Sequence, residues 1–397
     1  MSKKSFIAGL AAGVMLMCML FFGYSAYSAR VRWEGLPNPD SKVAEIIDML
    51  DRYSIIPFER EALLTSMYRG LLEGVGDPYT QYFDQPALEA FRIRTEGVFA
   101  GIGVMSFMDD ETKSLTIGEV FARSPAYAAG LLSGDRIVAV EGECMLGQPI
   151  GYITDLIRGP VNTPVLLTII RLEEETERTF DINIVRALVE IPTVTSELLP
   201  NNVGYIRIDG FDRVTFSQFE KALENLTDAG IQSLIVDVRN NPGGLMPVVV
   251  QITNLLVPEG IITYTEQADG RREYHNATAE YLGLPLVVLV NERSASASEI
   301  LSAAVQDTGA GIVIGTQTFG KGIVQNLMYL SDGNAIKMTV AKYFTPNGVS
   351  IHGIGVTPNI LVEMDEKLSR QISIIDRADD VQLQAALEAL NRFPTRR

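Results

Sequence analysis

The chain has 397 residues, 47% hydrophobic and 21% charged, enough apolar material for two or three domains with separate cores. A formal net charge of −16 with no basic run excludes a nucleic-acid partner, because such a surface repels a phosphate backbone. Of its two cysteines, Cys18 lies inside an apolar run, so Cys144 has no intramolecular disulfide partner.

Lys3 and Lys4 precede "FIAGLAAGVMLMCMLFFGY", 19 residues without a charge. At 1.5 Å per residue this can cross a bilayer core of roughly 30 Å. Lysines ahead of it keep the N-terminus in the cytoplasm and put the rest outside, although Arg30 and Arg32 beyond it weaken the asymmetry. The small residues of "AYS" leave cleavage as a signal peptide open. Residues 1–30 are therefore read as a signal anchor or transmembrane segment. The remainder is extracytoplasmic, tethered to the cell membrane if the segment is retained, and secreted or periplasmic if it is cut.

After the linker "EGLPNPD", residues 37–95 read as a helical arm. Val43, Ile46, Ile47 and Leu50, then Leu63, Leu64, Met67 and Leu71, recur at helical spacing on either side of Pro57. "GVGDPYTQYFD" is a Gly/Pro break and "QPALEAFRIR" a further helix. The apolar faces need cover, from the main body or from a second subunit. Residues 96–188 change to short strands, with a helix in "GYITDLIRG" and a hairpin across "EEET". Over 189–365 strands and helices alternate, which predicts a layered α/β core. The pattern runs through "GYIRIDGF", a helix over 215–229, "SLIVDV", a helix over 246–256, "PLVVLV", a helix over 298–308, "GIVIGT" and strands over 331–343. Residues 366–397 form a tail with the helix "DVQLQAALEAL".

The segment 121–142, "FARSPAYAAGLLSGDRIVAVEG", resembles a bacterial PDZ domain through Ser124, Pro125, Gly130, Gly134, Asp135 and Gly142. Gly101, Ile102, Gly103 and Val104 then resemble the loop that receives a peptide carboxylate. Glycines let consecutive N–H groups face an anion, and the adjoining strand offers an edge to an added peptide. The later blocks "DVRNNPGGL", "SASASEI", "QDTGAGIVIGTQTFGKGIVQ" and "YFTPNGVSIHGIGVTPN" resemble, in order, those of the C-terminal processing peptidases, or tail-specific proteases. Asn359 departs from that pattern, where the family usually has Asp. The resemblance implies a multidomain protein with a crotonase/Clp-protease-like α/β core, an inserted PDZ domain and helical segments at both ends.

It also implies a serine endopeptidase whose nucleophile is Ser296, whose base is Lys321, and in which Gln325 aims the amine. Ala297 with Gly243 or Gly244 would supply the oxyanion N–H groups, and Glu299 and Thr318 would support the site. A lysine works as a base only when neutral, and desolvation favours that form. The flanks of Lys321 are apolar, with no acid from Ala310 to Leu330. Substrates with apolar C-termini would occupy the PDZ groove and gate cleavage, Arg158 being one link. A homodimer is implied, and neither a metal nor a cofactor is called for. A Ser-His-Asp enzyme would need His275, in the polar turn "RREYHNATAE", or His352, and neither neighbours a nucleophile elbow. A non-catalytic PDZ scaffold is the rival from another class, and the Ser296, Lys321 and Gln325 set argues against it.

Overall fold

The computed structural model describes residues 39–392, apart from residues 175, 279 and 373. The 6–24 run lies outside them, and among the described residues no helix is long and apolar enough to cross a membrane. The described residues divide into two compact units, the boundary falling between Tyr68 and Arg69. In the first, α1 (Pro39–Tyr53) leads through Pro57 into α2 (Arg60–Glu73), which runs on past the division. Ile46, Met49, Tyr53, Ile55 and Ile56 stay exposed there.

The second unit begins its regular structure with β1 (Gln81–Phe83) and α3 (Gln85–Glu96). Asp84 caps α3, its carboxylate accepting the Ala87 N–H. The PDZ-like part follows: β2 (Val98–Gly101), β3 (Val104–Met108), β4 (Leu115–Val120), α4 (Pro125–Ala128), β5 (Arg136–Val140), β6 (Glu143–Cys144), α5 (Ile150–Ile157), β7 (Pro164–Glu173), β8 (Thr176–Val185) and β9 (Ala187–Glu190). Its sheet has the order β3-β4-β5-β7-β8, over a core that includes Ile102, Leu115, Ile117, Ile137, Ile153 and Leu167. The strands that lead into and out of it, β2 and β9, pair antiparallel from Val98↔Glu190 to Gly101↔Ala187. The insertion is therefore held by a two-stranded strap.

The α/β part comprises β10 (Val194–Leu199), β11 (Val203–Ile208), α6 (Thr215–Asp228), β12 (Ser233–Asp237), α7 (Met246–Asn254), β13 (Gly260–Gln267), β14 (Arg272–Ala277), β15 (Leu286–Val290), α8 (Ala297–Asp307), β16 (Ile312–Gly315), β17 (Ile323–Tyr329), β18 (Ala335–Phe344) and β19 (Ile360–Leu361). Two last helices, α9 (Glu366–Arg370) and α10 (Val381–Arg392), follow. The main sheet runs β10-β11-β12-β15-β16-β19, parallel except for β10. Residues of α6, α7 and α8 pack on one face and Leu383, Ala386 and Leu390 of α10 on the other, giving three layers. β12 and β15 are buried throughout, which is why they read as continuous apolar runs. In a second sheet, β18 carries β17 along one edge and β1 and β13 along the other.

Several expected elements change. The 37–95 arm is not wholly helical, since β1 joins β18 through Gln81↔Lys337. His275 sits in β14, paired with Thr263 of β13, and not in a turn. The strands expected over 331–343 resolve into β18 and a turn, with β17 before them. Short or solvent-facing strands of this kind carry no clean alternation.

One buried cluster ties α10 to the core. The Arg239 guanidinium, fully buried, donates to Asp237 Oδ2 at 2.6 Å, to both carboxylate oxygens of Asp380 at 2.8 Å, and to Gln382 Oε1 at 3.1 Å. With two carboxylates and an amide around it, the charge is compensated where burial would otherwise be costly.

Candidate active site

β12, β15 and β16 are neighbours in the parallel sheet, and the loops leaving their C-terminal ends carry "NPGG", the serine run and Lys321. In open parallel sheets that edge is where ligands bind. The three segments are thus brought together by topology, although Gly243 and Lys321 lie far apart in sequence.

The serine run separates into three roles. Ser294 Oγ donates to the Val238 carbonyl at 2.8 Å and accepts the Asn291 N–H at 2.9 Å. Ser298 Oγ donates to the Asn241 carbonyl at 2.9 Å. Both serines are fully buried and stitch the turn to the loop after β12. Ser296 between them is only partly buried and precedes α8 with φ 55° and ψ −112°. A non-glycine residue rarely adopts that backbone, and the strain falls at the sharp turn between β15 and α8.

Gly243 packs directly beneath it. A Cβ there would lie 2.7 Å from the Ala295 carbonyl oxygen, 2.8 Å from Ser296 Cβ and 3.0 Å from the Ala297 nitrogen, so only glycine fits at its φ of 103°. Its own N–H is already given to Asn241 Oδ1 at 2.8 Å. Among the described residues, the N–H groups of Gly244 and Ala297 donate to no protein acceptor. Gly244 is exposed. The Gly244 and Ala297 N–H groups are thus open to an acceptor from outside the chain, and the Gly243 N–H is not.

Glu299, fully buried, does more than cap α8. One carboxylate oxygen accepts Thr318 Oγ1 at 2.6 Å and the Gly320 N–H at 2.7 Å; the other accepts the N–H groups of Ser296 and Lys321, each at 2.8 Å. Thr318 Oγ1 in turn accepts the Val356 N–H at 2.6 Å. The Tyr343 hydroxyl lies 2.6 Å from the Lys321 carbonyl oxygen and 3.0 Å from that of Ser296, a second bridge between the same two segments. Burial and then the charge of Glu299 raise the Tyr343 phenol, which keeps it a donor. In Glu299→Gln, whichever oxygen becomes the amide nitrogen, two buried donors lose their acceptor. We expect unfolding stability to fall by about 3 kcal/mol and turnover to fall with it, read from denaturant titration and initial rates.

Lys321 is partly buried. Burial and the nearby Lys337 charge lower its pKa, with Asp77 and Glu299 pulling the other way. The apolar flanks are as expected, but acids reach it from outside the 310–330 stretch. Its Nζ stands 4.7 Å from the centroid of the Tyr79 ring, and among the described residues no hydrogen bond joins it to Ser296 or Gln325. Gln325, in β17, gives its Nε2 to the Ile323 carbonyl at 3.4 Å. Asp77 and Tyr79, in "GDPYT", were legible only as a loop. A turn before β1 and the β1–β18 pairing deliver them to the site. Neither His275 nor His352 hydrogen-bonds to Ser296, and no group of three or more metal-ligating side chains occurs among the described residues.

The PDZ-like part presents a groove of about 200 Å³ lined by Ile102, Val104, Phe121, Thr154, Ile157 and Arg158. Among the described residues β3 pairs only with β4, which leaves its other edge open to an added strand. Gly103, at φ 85°, lies against Ser124, where a Cβ would meet the serine Cβ at 2.3 Å. The Phe99 ring covers Gly101, and the Arg158 guanidinium stands 5.6 Å from that ring's centroid.

Comparison with known proteins agrees with this arrangement. Residues 202–362 match Peptidase family S41, and residues 116–171 match a PDZ domain. A carboxyl-terminal-processing protease of Synechocystis sp. is 37% identical over 325 residues, 81% of this chain and 75% of the relative. A carboxy-terminal-processing protease of Bartonella bacilliformis is 34% identical over 341 residues, 82% of this chain and 76% of the relative. The solved structure of a candidate S41 protease from Bacteroides fragilis shares the fold at a TM-score of 0.53 and 16% identity, over 81% of this chain and 90% of that one. The chain belongs to peptidase family S41, among the carboxyl-terminal-processing proteases, and is a serine-type peptidase.

Proposed function

We propose that the PDZ groove captures the apolar C-terminus of a protein substrate and that Ser296 cuts the same chain nearby, with Lys321 as general base. The observation that carries this reading is the convergence of three strand ends, with Gly243 against Ser296 and Glu299 bridging Ser296 to Lys321. Neutral Lys321 takes the Ser296 proton as Oγ attacks the carbonyl carbon. The N–H groups of Ala297 and Gly244 hold the oxyanion. The ammonium then returns the proton to the leaving amine as the C–N bond breaks, and water hydrolyses the acyl-enzyme by the same base. Gln325 aims the amine once Nζ has left Tyr79. Occupation of the groove gates this step, because the β2–β9 strap and Arg158 on Phe99 lie at the groove's edge.

We place the enzyme outside the cytoplasm, residues 6–24 holding it to a membrane or being removed, and working as a homodimer through its exposed apolar helices. Domain limits at 37–95, 96–188, 189–365 and 366–397 follow the same reading.

Matched peptides ending in Leu-Ala-Ala, in the corresponding amide or in Asp-Asp test it. The free apolar terminus should be cleaved at least about tenfold faster, since the amide lacks the anion and aspartate suits neither the apolar groove nor a chain of this net charge. Equal rates for all three would remove the C-terminal capture from the mechanism.

A further inference from the structure

We propose that Tyr79 is a positioning residue that sets how tightly Lys321 holds its proton, its ring binding the ammonium form and offering nothing comparable to the neutral amine. This rests on Lys321 being the base. The contact is built from both sides. Asp77 Oδ1 accepts the Tyr79 N–H at 3.0 Å, and Asp77 Oδ2 accepts Thr80 Oγ1 at 2.6 Å. The next residues form β1, hydrogen-bonded to β18. The backbone of Tyr79 is therefore fixed at an Asx turn and at a strand end. Its ring, partly buried, lies 4.7 Å from Nζ, inside the range at which an aromatic face attracts a cation.

Three other charged groups act on Lys321. They are Lys337 from β18, Asp77 from the same turn and Glu299 from α8. Lys337 has aromatic cover of its own, with Nζ 5.7 Å from the centroids of Phe83 and Phe91. Two ammonium groups are thus held on separate aromatic faces. Loss of the Lys321 proton to solvent abolishes its attraction to the ring and frees Nζ to turn to Ser296 and accept the hydroxyl proton. Release of the base and its activation become one event.

The test separates the ring's electrostatic face from its bulk. In the full-length Ser296→Ala chain, competitive acetylation by acetic anhydride across pH, read at Lys321 by peptide mass spectrometry, gives the midpoint of amine deprotonation without any turnover. Tyr79→Phe should leave that midpoint within about 0.2 pH units, since the face remains. Tyr79→Leu keeps apolar cover but removes the face, and should lower the midpoint by about half a pH unit. Tyr79→Met is the second variant, with the same expected direction, in case the leucine chain does not fold. An unmoved midpoint in the leucine and methionine variants, or an equal fall in the phenylalanine variant, overturns the proposal. With Ser296 intact, the rising limb of kcat/KM should move to lower pH alongside the midpoint. If the midpoint moves and the limb does not, Tyr79 does what is proposed and the assignment of Lys321 as base is what fails.

Discussion

Replacing Ser296 by alanine is expected to lower cleavage by about 10⁴-fold or more, with the fold intact, because the attacking oxygen is gone. The contrast lies in its neighbours. Ser294 and Ser298 are buried and give their hydroxyls to the Val238 and Asn241 carbonyls. Ser294→Ala and Ser298→Ala should each lose about 1–3 kcal/mol of stability and still turn over substrate. Initial rates with a peptide substrate and denaturant unfolding of the three variants decide it. Full activity in Ser296→Ala, or complete loss in Ser294→Ala with a normal unfolding curve, would move the nucleophile elsewhere.

Lys321→Arg is expected to be inactive by about 10³-fold or more, since a guanidinium keeps a positive charge but cannot take up a proton near neutrality. Activity in the arginine chain would show that Lys321 serves as a fixed cation. The wild-type rate should climb with pH as Lys321 deprotonates. Burial, and then Lys337, places that climb below the ordinary lysine range near 10.5. The same shift links to stability. Between the lowered folded pKa and the unfolded value, the unfolded chain binds more protons at this lysine, so its contribution to stability rises with pH across that window. A rate that stays flat through the alkaline limb, under conditions where chemistry is limiting, argues against an amine base.

The family resemblance singled out Ser296 and Lys321; that each lies in a block following a strand was legible, because buried parallel strands write themselves as unbroken apolar runs. What the residues do to one another was not. Glu299 sits at the third position of its helix, which suggested a cap, but its partners at Thr318, Gly320 and Lys321 come from another strand's loop. The commitment of the Gly243 N–H to Asn241 depends on a side-chain rotamer, which no spacing reveals. Asp77 and Tyr79 reach the site through β1, whose three residues are too few to show a period. The apolar flanks of Lys321 were read correctly, but proximity in sequence hid the acids that reach it through space.

The buried Arg239 clamp also orders events in time. Asp237 stands two residues from Arg239, whereas Asp380 is 141 residues further on. As the polypeptide is synthesised from its N-terminus, the guanidinium has one carboxylate long before it acquires the second, and removing one partner of a buried pair costs about 3–5 kcal/mol. The strand end that leads to Gly243 and Gly244 is therefore underpinned only after α10 docks. Gly244, Ser296 and Lys321 can all have been made while the ground beneath them is still unfinished, so a growing chain carries these residues before the loop that underlies them is braced.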